Sequence, residues 1–386
     1  MAIIYRQIIL IGNYLPDKQE SMQRFAKMLD IGFQNANIKS EIWYPKIIFG
    51  SSIKNPNKGF DKWLGYIDKW VLFPIILRWR LLKCYMQNTQ TKFHICDHSN
   101  APYLNQLPLV HTSVTCHDVL AIRSGLGYSD NHVTTSHLGK LLQEWILKSL
   151  IKSKKLASVS QFTLDQLIAL APYTNREQFD WRVIHNAFNA KFWPMQVMQA
   201  KQVLAKAKID LSESFLLHVG SGLPRKNRSL ILKMVYILGD RWLGNICFAG
   251  EGPDKELLSI VEDLCLSERV KFVVNPNHDT LVALYSTCEA FIFPSYSEGF
   301  GWPVIEAQAC GAPVIASNAE PMPEVSGGAA LHVDPSDPKA FAKALVALQH
   351  SSTRTSLVQQ GFANSQRFEL SHMMEAYLDL CQLTPA

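Results

Sequence analysis

No Cys-x-x-Cys pair occurs in the chain. Its eight cysteines, at positions 84, 96, 116, 247, 265, 288, 310 and 381, are dispersed, which argues against a disulfide framework or a zinc ribbon and predicts mostly buried thiols. Long apolar runs are missing as well. The longest strictly apolar stretch, Trp70 to Leu77, has eight residues and contains Pro74, far short of the roughly 20 that cross a bilayer. The Ile-rich N-terminus is broken by Arg6 and Gln7, lacks a small-residue cleavage site and leads into Gly12-Asn13-Tyr14, so it reads as a first strand and not as a signal peptide. A cytoplasmic protein is expected. Low-complexity segments and short-period repeats are absent, and 47% hydrophobic with 18% charged residues excludes collagen, a coiled coil and wholesale disorder.

What is present points to a two-domain α/β protein. At 386 residues the chain exceeds what one hydrophobic core usually organises. Short apolar runs alternate with amphipathic stretches, the pattern of βα units around parallel sheets. Strands are expected at Gln7 to Gly12, Glu41 to Tyr44, Phe93 to Asp97, Val110 to Cys116, Leu156 to Ser160 and Arg182 to His185. A second set is expected at Phe215 to Val219, Asn245 to Ala249, Val270 to Val274, Ala290 to Phe293, Pro313 to Ala316 and Ala329 to Val333. The segment Phe188 to Ala200, with Trp193-Pro194, reads as the linker between domains at 1–190 and 200–366. Residues 367–386 hold an amphipathic stretch that needs a partner surface. Ligands of open parallel sheets bind beyond the carboxyl ends of the strands, so motifs at strand ends are expected to line a cleft between two facing Rossmann-like domains.

The stretch Pro294 to Ala307 is the most informative. A buried strand ends at Pro294, a glycine-spaced loop follows, Pro303 suits a helix start, and Gly311 suits the position just past the helix. Backbone N–H groups of Gly299, Phe300, Gly301 and Trp302 would gather at a helix N-terminus, where partial positive charge favours a phosphate. Glu298 and Glu306 bracket that point. Two carboxylates beside an anion site suit a ligand that also offers hydroxyls, as sugar and ribose rings do, which suggests a nucleotide sugar; a helix start with two solvated glutamates would share the pattern. Earlier, the strand at Phe215 runs into Gly220-Ser-Gly222-Leu-Pro and then Arg225-Lys226, two adjacent cations able to neutralise a pyrophosphate.

These residues resemble the retaining glycosyltransferases built from two facing Rossmann-like domains, the GT-B type, and within them family four, the group 1 transferases. The hallmark is a Glu, seven residues and a second Glu, matched by Glu298 and Glu306, with Gly311-x-Pro313-Val314 also in place. The resemblance implies that Glu298 holds donor sugar hydroxyls, that the Phe300 and Gly301 amides face the sugar and phosphate, that Glu306 binds the ribose, and that Arg225 and Lys226 grip the donor phosphates. Gly250-Glu251-Gly252-Pro253 looks like the family's base-proximal turn, with Asn275-Pro276-Asn277 ending the next strand; ordinary αβ turns would look the same. His117 in Thr115-Cys116-His117-Asp118 resembles the family's His-Asp at the donor sugar. The first loop departs from the pattern, with the single Gly12 where many relatives carry a Gly-Gly pair. Ser160 and Asn186 are expected to hold turns, and the C-terminal stretch is implied to cross back to the first domain.

The expected activity is metal-independent transfer, with retention, of a sugar from a GDP- or UDP-linked donor to a hydroxyl of a glycan or lipid-linked acceptor. No cofactor is expected, and no Asp-x-Asp occurs to bind a divalent metal. His94, Cys96 and His98 share one face of a strand without a fourth ligand, so Asp97-His98-Ser99 is read as acceptor-side lining. An epimerase of the same fold and a catalytically silent nucleotide-sugar-binding protein are the alternatives. A nicotinamide enzyme would need a tighter glycine fingerprint. Between Lys54 and Lys92 eight Lys and Arg face two Asp, a local excess as large as the whole net charge of +5. Its core, residues 62–83, mixes Trp, aliphatics and cations, which suits an anionic membrane surface; a core-packed helix pair with a basic outer face has the same composition. Nucleic acid is not an expected partner.

Overall fold

The computed structural model describes residues 7–49, 59–86, 91–128, 136–171, 179–211 and 214–384. They divide into two compact units, Met1–Asn189 with Leu370–Ala386, and Ala190–Glu369. Each unit holds one six-stranded sheet, parallel in every pairing. Some strands are near-continuous apolar runs, as helices covering both faces of a parallel sheet require. Ile8 to Ile11 and Ala290 to Phe293 are fully buried.

In unit 1 the strands are β1 (Gln7–Ile11), β2 (Lys39–Trp43), β3 (Thr91–Ile95), β4 (Thr112–Cys116), β5 (Lys155–Ser158) and β6 (Asp180–Val183), in spatial order β2-β1-β3-β4-β5-β6. In unit 2 they are β7 (Phe215–Gly220), β8 (Asn245–Gly250), β9 (Val270–Val274), β10 (Ala290–Phe293), β11 (Val314–Ser317) and β12 (Leu331–Val333), in order β12-β11-β10-β7-β8-β9. All twelve expected strands form, ten of them with shifted ends. Leu109–His111 closes a 3-10 turn before β4, so Val110 is outside the strand. Ser160 lies beyond β5 and caps the Gln161–Leu170 helix by accepting from Thr163 N.

Side-chain caps of the same kind set the helices of unit 2. Asp254 accepts from Leu257 N at 2.8 Å and Asn277 from Thr280 N at 2.9 Å. The Leu370–Cys381 helix belongs to unit 1: Met373, Met374, Tyr377 and Leu380 are buried in one cluster with Phe25, Leu29 and Phe33 of the Glu20–Asn35 helix. A Cβ at Gly32 would collide with Met374, so the bare glycine permits this close approach.

Candidate functional site

Sheet order, not chain order, locates the crevice in each unit. In unit 2, β7 neighbours β10, and the connections leave this pair towards opposite edges, so the loops at their carboxyl ends diverge. Arg225 and Lys226 sit in the 3-10 turn Pro224–Lys226 after β7, ended by Asn227 in the left-handed conformation at φ 53°. The Asn227 amide donates to Pro294 O at 3.1 Å and Pro335 O at 2.7 Å, tying the cationic turn to the end of β10. Glu298, on the loop after β10, is buried and meets both cations. Arg225 Nη1 lies 2.7 Å from its Oε2, and Lys226 Nζ lies 2.7 Å from its Oε1.

Burial by itself would raise the Glu298 carboxyl, but Lys226 and Arg225 outweigh it and pull it down to about 2. Lys226 is 8% exposed, its ammonium also lies 5.0 Å from the centre of the Phe293 ring, and burial lowers its pKa although Glu298 opposes this. Two cations sharing one carboxylate leave a net positive charge. His218, on β7, places its imidazole roughly parallel to the Phe293 ring and bonds Ile292 O through Nδ1 at 3.0 Å. Burial takes it down to about 4, and its Nε2, buried, has no hydrogen-bond partner among the described residues. Spacing had not marked His218, which reads as a strand residue.

The Trp302–Ala309 helix starts at Gly301, whose φ of 100° is hostile to a side chain; a Cβ there would also come 2.6 Å from Met322 Cε. Phe300 is buried against Trp302 and Phe368. Glu306, on this helix, is buried and accepts from Tyr285 OH at 3.0 Å. Tyr285, on the His278–Thr287 helix, was invisible to motif spacing because it reads as an ordinary core aromatic.

The remaining predicted glycines and turns form a shoulder at the ends of β7, β8 and β9. Gly222 N donates to Glu251 Oε2 at 2.7 Å. Gly250 has φ 120°, and a Cβ on it would approach Gly220 O to 2.5 Å. Asn275, at φ 48°, donates through N to Gly250 O at 2.8 Å. Arg228, buried and overlooked in sequence because it follows the Arg-Lys pair, donates to Glu251 O and Gly252 O, each at 3.2 Å. A pocket of about 180 Å³ lies here, lined by Gly222, Leu223, Asn227, Arg228, Asp254 and Tyr296 among others; neither Glu298 nor Glu306 lines it.

In unit 1 the corresponding point lies between β1 and β3. Asn13, after β1, donates to Asp97, after β3, and receives a bond from Asn100 Nδ2 at 3.0 Å. Burial would raise Asp97, but His98 and His117, then Ser99 N and Asn13, bring it below the ordinary range. His117, after β4, is buried edge-on to Phe25, and its Nε2 donates to Cys96 O at 2.9 Å. Burial lowers its pKa despite Asp97, so it is a neutral ring with Nδ1 as acceptor. Gly12 has a packing reason of its own, since a Cβ would come 2.5 Å from Tyr44 Cε1. His94 spends both ring nitrogens on hydroxyls, Ser113 at 2.7 Å and Thr115 at 2.9 Å.

Residues 200–362 match the family model of "Glycosyl transferases group 1". Among curated proteins, O-antigen chain mannosyltransferase B of Escherichia coli is 28% identical over 234 residues, which are 59% of this chain and 60% of that one. O-antigen chain mannosyltransferase RfbU of Salmonella typhimurium is 27% identical over 267 residues, 69% of this chain and 67% of that one. The match to D-inositol 3-phosphate glycosyltransferase of Salinispora tropica, 30% identical, spans less than half of that relative, 43%. Among solved structures, sucrose-phosphate synthase from Thermosynechococcus elongatus superposes with a TM-score of 0.72 at 19% identity, covering 98% of both chains. Anabaena HepE, solved with UDP and glucose, gives 0.70 at 15% identity over 98% of this chain and 99% of that one. Residues 200–362 are thus similar to the group 1 glycosyltransferases, and the two parallel six-stranded sheets have the GT-B fold of the solved structures.

Proposed function

We propose that the protein transfers a sugar, with retention of its anomeric configuration and without a metal ion, from a nucleoside diphosphate donor bound by unit 2 to a hydroxyl acceptor. The observation that carries this reading is the buried cluster of Arg225, Lys226 and Glu298 at the β7/β10 crevice. As the glycosidic bond lengthens, negative charge grows on the departing diphosphate and positive charge on the sugar ring. Arg225 and Lys226 are placed to stabilise the first, in the role a divalent ion fills elsewhere. Glu298 holds them in position before the donor arrives and has lone pairs left for sugar hydroxyls. Glu306, oriented by Tyr285, is assigned the ribose, and the shoulder at Gly222, Gly250, Glu251 and Asn275 the base. The leaving phosphate itself takes the acceptor's proton on the same face, so no enzyme nucleophile is needed. Unit 1, with Asn13, Asp97 and neutral His117, is assigned the acceptor, for which a glycan or a lipid-linked precursor fits. The mannosyltransferase names among the relatives favour mannose as the sugar, and the UDP complex of HepE keeps UDP-sugars beside GDP-mannose in the comparison.

The test is release of nucleoside diphosphate from a panel of GDP- and UDP-sugars, with and without EDTA, beside donor binding by calorimetry. One donor is expected to bind and turn over undiminished in EDTA, and the Arg225→Ala/Lys226→Ala/Glu306→Gln variant is expected to bind none. Full binding by that variant would refute the assignment. A rearranged sugar formed without acceptor would mark an epimerase, and an intact donor a binding protein.

A further inference from the structure

Large apolar side chains recur at the surface along residues 59–86, which form the Gly59–Ile67 helix, a π-helical turn Asp68–Leu72 and the Phe73–Met86 helix. Trp63, Ile67, Val71, Ile75, Trp79 and Leu82 are all exposed, the last three by 60%, 65% and 62%. The first five are four residues apart. In an α-helix that spacing drifts around the axis by roughly 40° per step, but the wider π turn at the centre rotates the stripe back. The opposite face, Phe73, Leu77 and Leu81, is buried in the core of unit 1. The outer face therefore carries an apolar stripe together with exposed cations.

A second apolar element is fastened beside the stripe. Asp68, fully buried, accepts from Ile48 N and Phe49 N, both at 3.1 Å, and from Tyr14 OH at 2.6 Å. Ile47, Ile48 and Phe49 are each exposed by nearly half. A buried carboxylate thus holds three exposed apolar residues next to the helix. The charge is one-sided: no Asp or Glu occurs from residue 69 to residue 96, while Arg78 and Lys83 are exposed alongside the stripe. Lys54 and Lys58, counted in the basic stretch, lie outside the described residues. Tryptophans near both ends, aliphatics between and cations beside them match the chemistry of a bilayer surface with acidic headgroups.

We infer that residues 63–84 with Ile47 to Phe49 form a docking surface for an anionic lipid bilayer, lying flat in the headgroup region. The inference goes beyond the transfer reading and stands apart from it. The inner side of the same helix gives it a use there, for Tyr66, Lys69 and Trp70 line a pocket of about 130 Å³ with Asn13, Gln19 and Asn100, so the docked face and a polar cavity near Asn13 share one element.

The test is co-sedimentation of the full chain with phosphatidylcholine vesicles containing or lacking about 30% phosphatidylserine, read with tryptophan emission and quenching by brominated lipid. Binding to the anionic vesicles with a blue shift is expected, falling as salt rises. Arg78→Gln/Lys83→Gln is expected to lower partition on the order of thirtyfold, two cations near the surface being worth that much. Ile75→Ser/Trp79→Ser is expected to abolish quenching while melting at the wild-type temperature. Equal binding to neutral vesicles, binding untouched by both variants, or a stripe buried in a dimer without lipid would overturn the inference. Donor cleavage in vesicle-free buffer is scored in parallel; it reads the transfer proposal alone.

Discussion

At the scale of single residues, the charge balance at Glu298 governs unit 2. Its carboxyl sits at about 2 rather than the ordinary 4.5, so its contribution to stability is complete above about pH 4.5 and is lost as pH falls towards 2. Removing that carboxylate leaves two cations facing each other. Glu298→Gln is therefore expected to cost about 3–5 kcal/mol in urea unfolding at pH 7, and to flatten the acid-side loss of stability. Lys226→Met is expected to be milder, since Arg225 still pairs with Glu298. Tyr285→Phe is expected to cost about 1 kcal/mol by depriving Glu306 of a donor; with Glu306→Ala the effects should fall short of additive, because both changes break one bond. Additive losses would mean that the two do not act together.

Among the elements, the start of the Trp302–Ala309 helix carries the sharpest constraint. Gly301 combines a positive φ with contact to Met322, so Gly301→Ala is expected to destabilise by about 2 kcal/mol and lower the melting temperature by several degrees. Met322→Ala in that background is expected to recover only part of the loss, because it relieves the contact and not the backbone angle. Complete recovery would show that sterics alone required the glycine. At the first loop of unit 1, by contrast, Gly12 is explained by Tyr44, so the loss of a Gly-Gly pair there is compatible with intact packing.

For the whole molecule, the C-terminal helix matters out of proportion to its length. Deleting residues 370–386 exposes Phe25, Leu29 and Phe33 of the Glu20–Asn35 helix, and scanning calorimetry is expected to show loss of the unit 1 transition with that of unit 2 kept. Survival of both transitions would contradict the packing. How much of this architecture was legible follows the range of the forces involved. Alternation of apolar runs, glycine and proline at strand ends, and the Glu298/Glu306 spacing are encoded within a few residues of one another, and the amino-acid order alone determined the twelve strands, the α/β class and the resemblance to the group 1 transferases. It could not determine that β7 lies beside β10, that one carboxylate serves cations 73 and 72 positions away, that Tyr285 reaches Glu306, or that the aromatic-basic helix buries one apolar face and exposes another. Those outcomes depend on which distant segments pair, and only burial of the two sheets' faces in the folded chain selects among the pairings that local pattern permits.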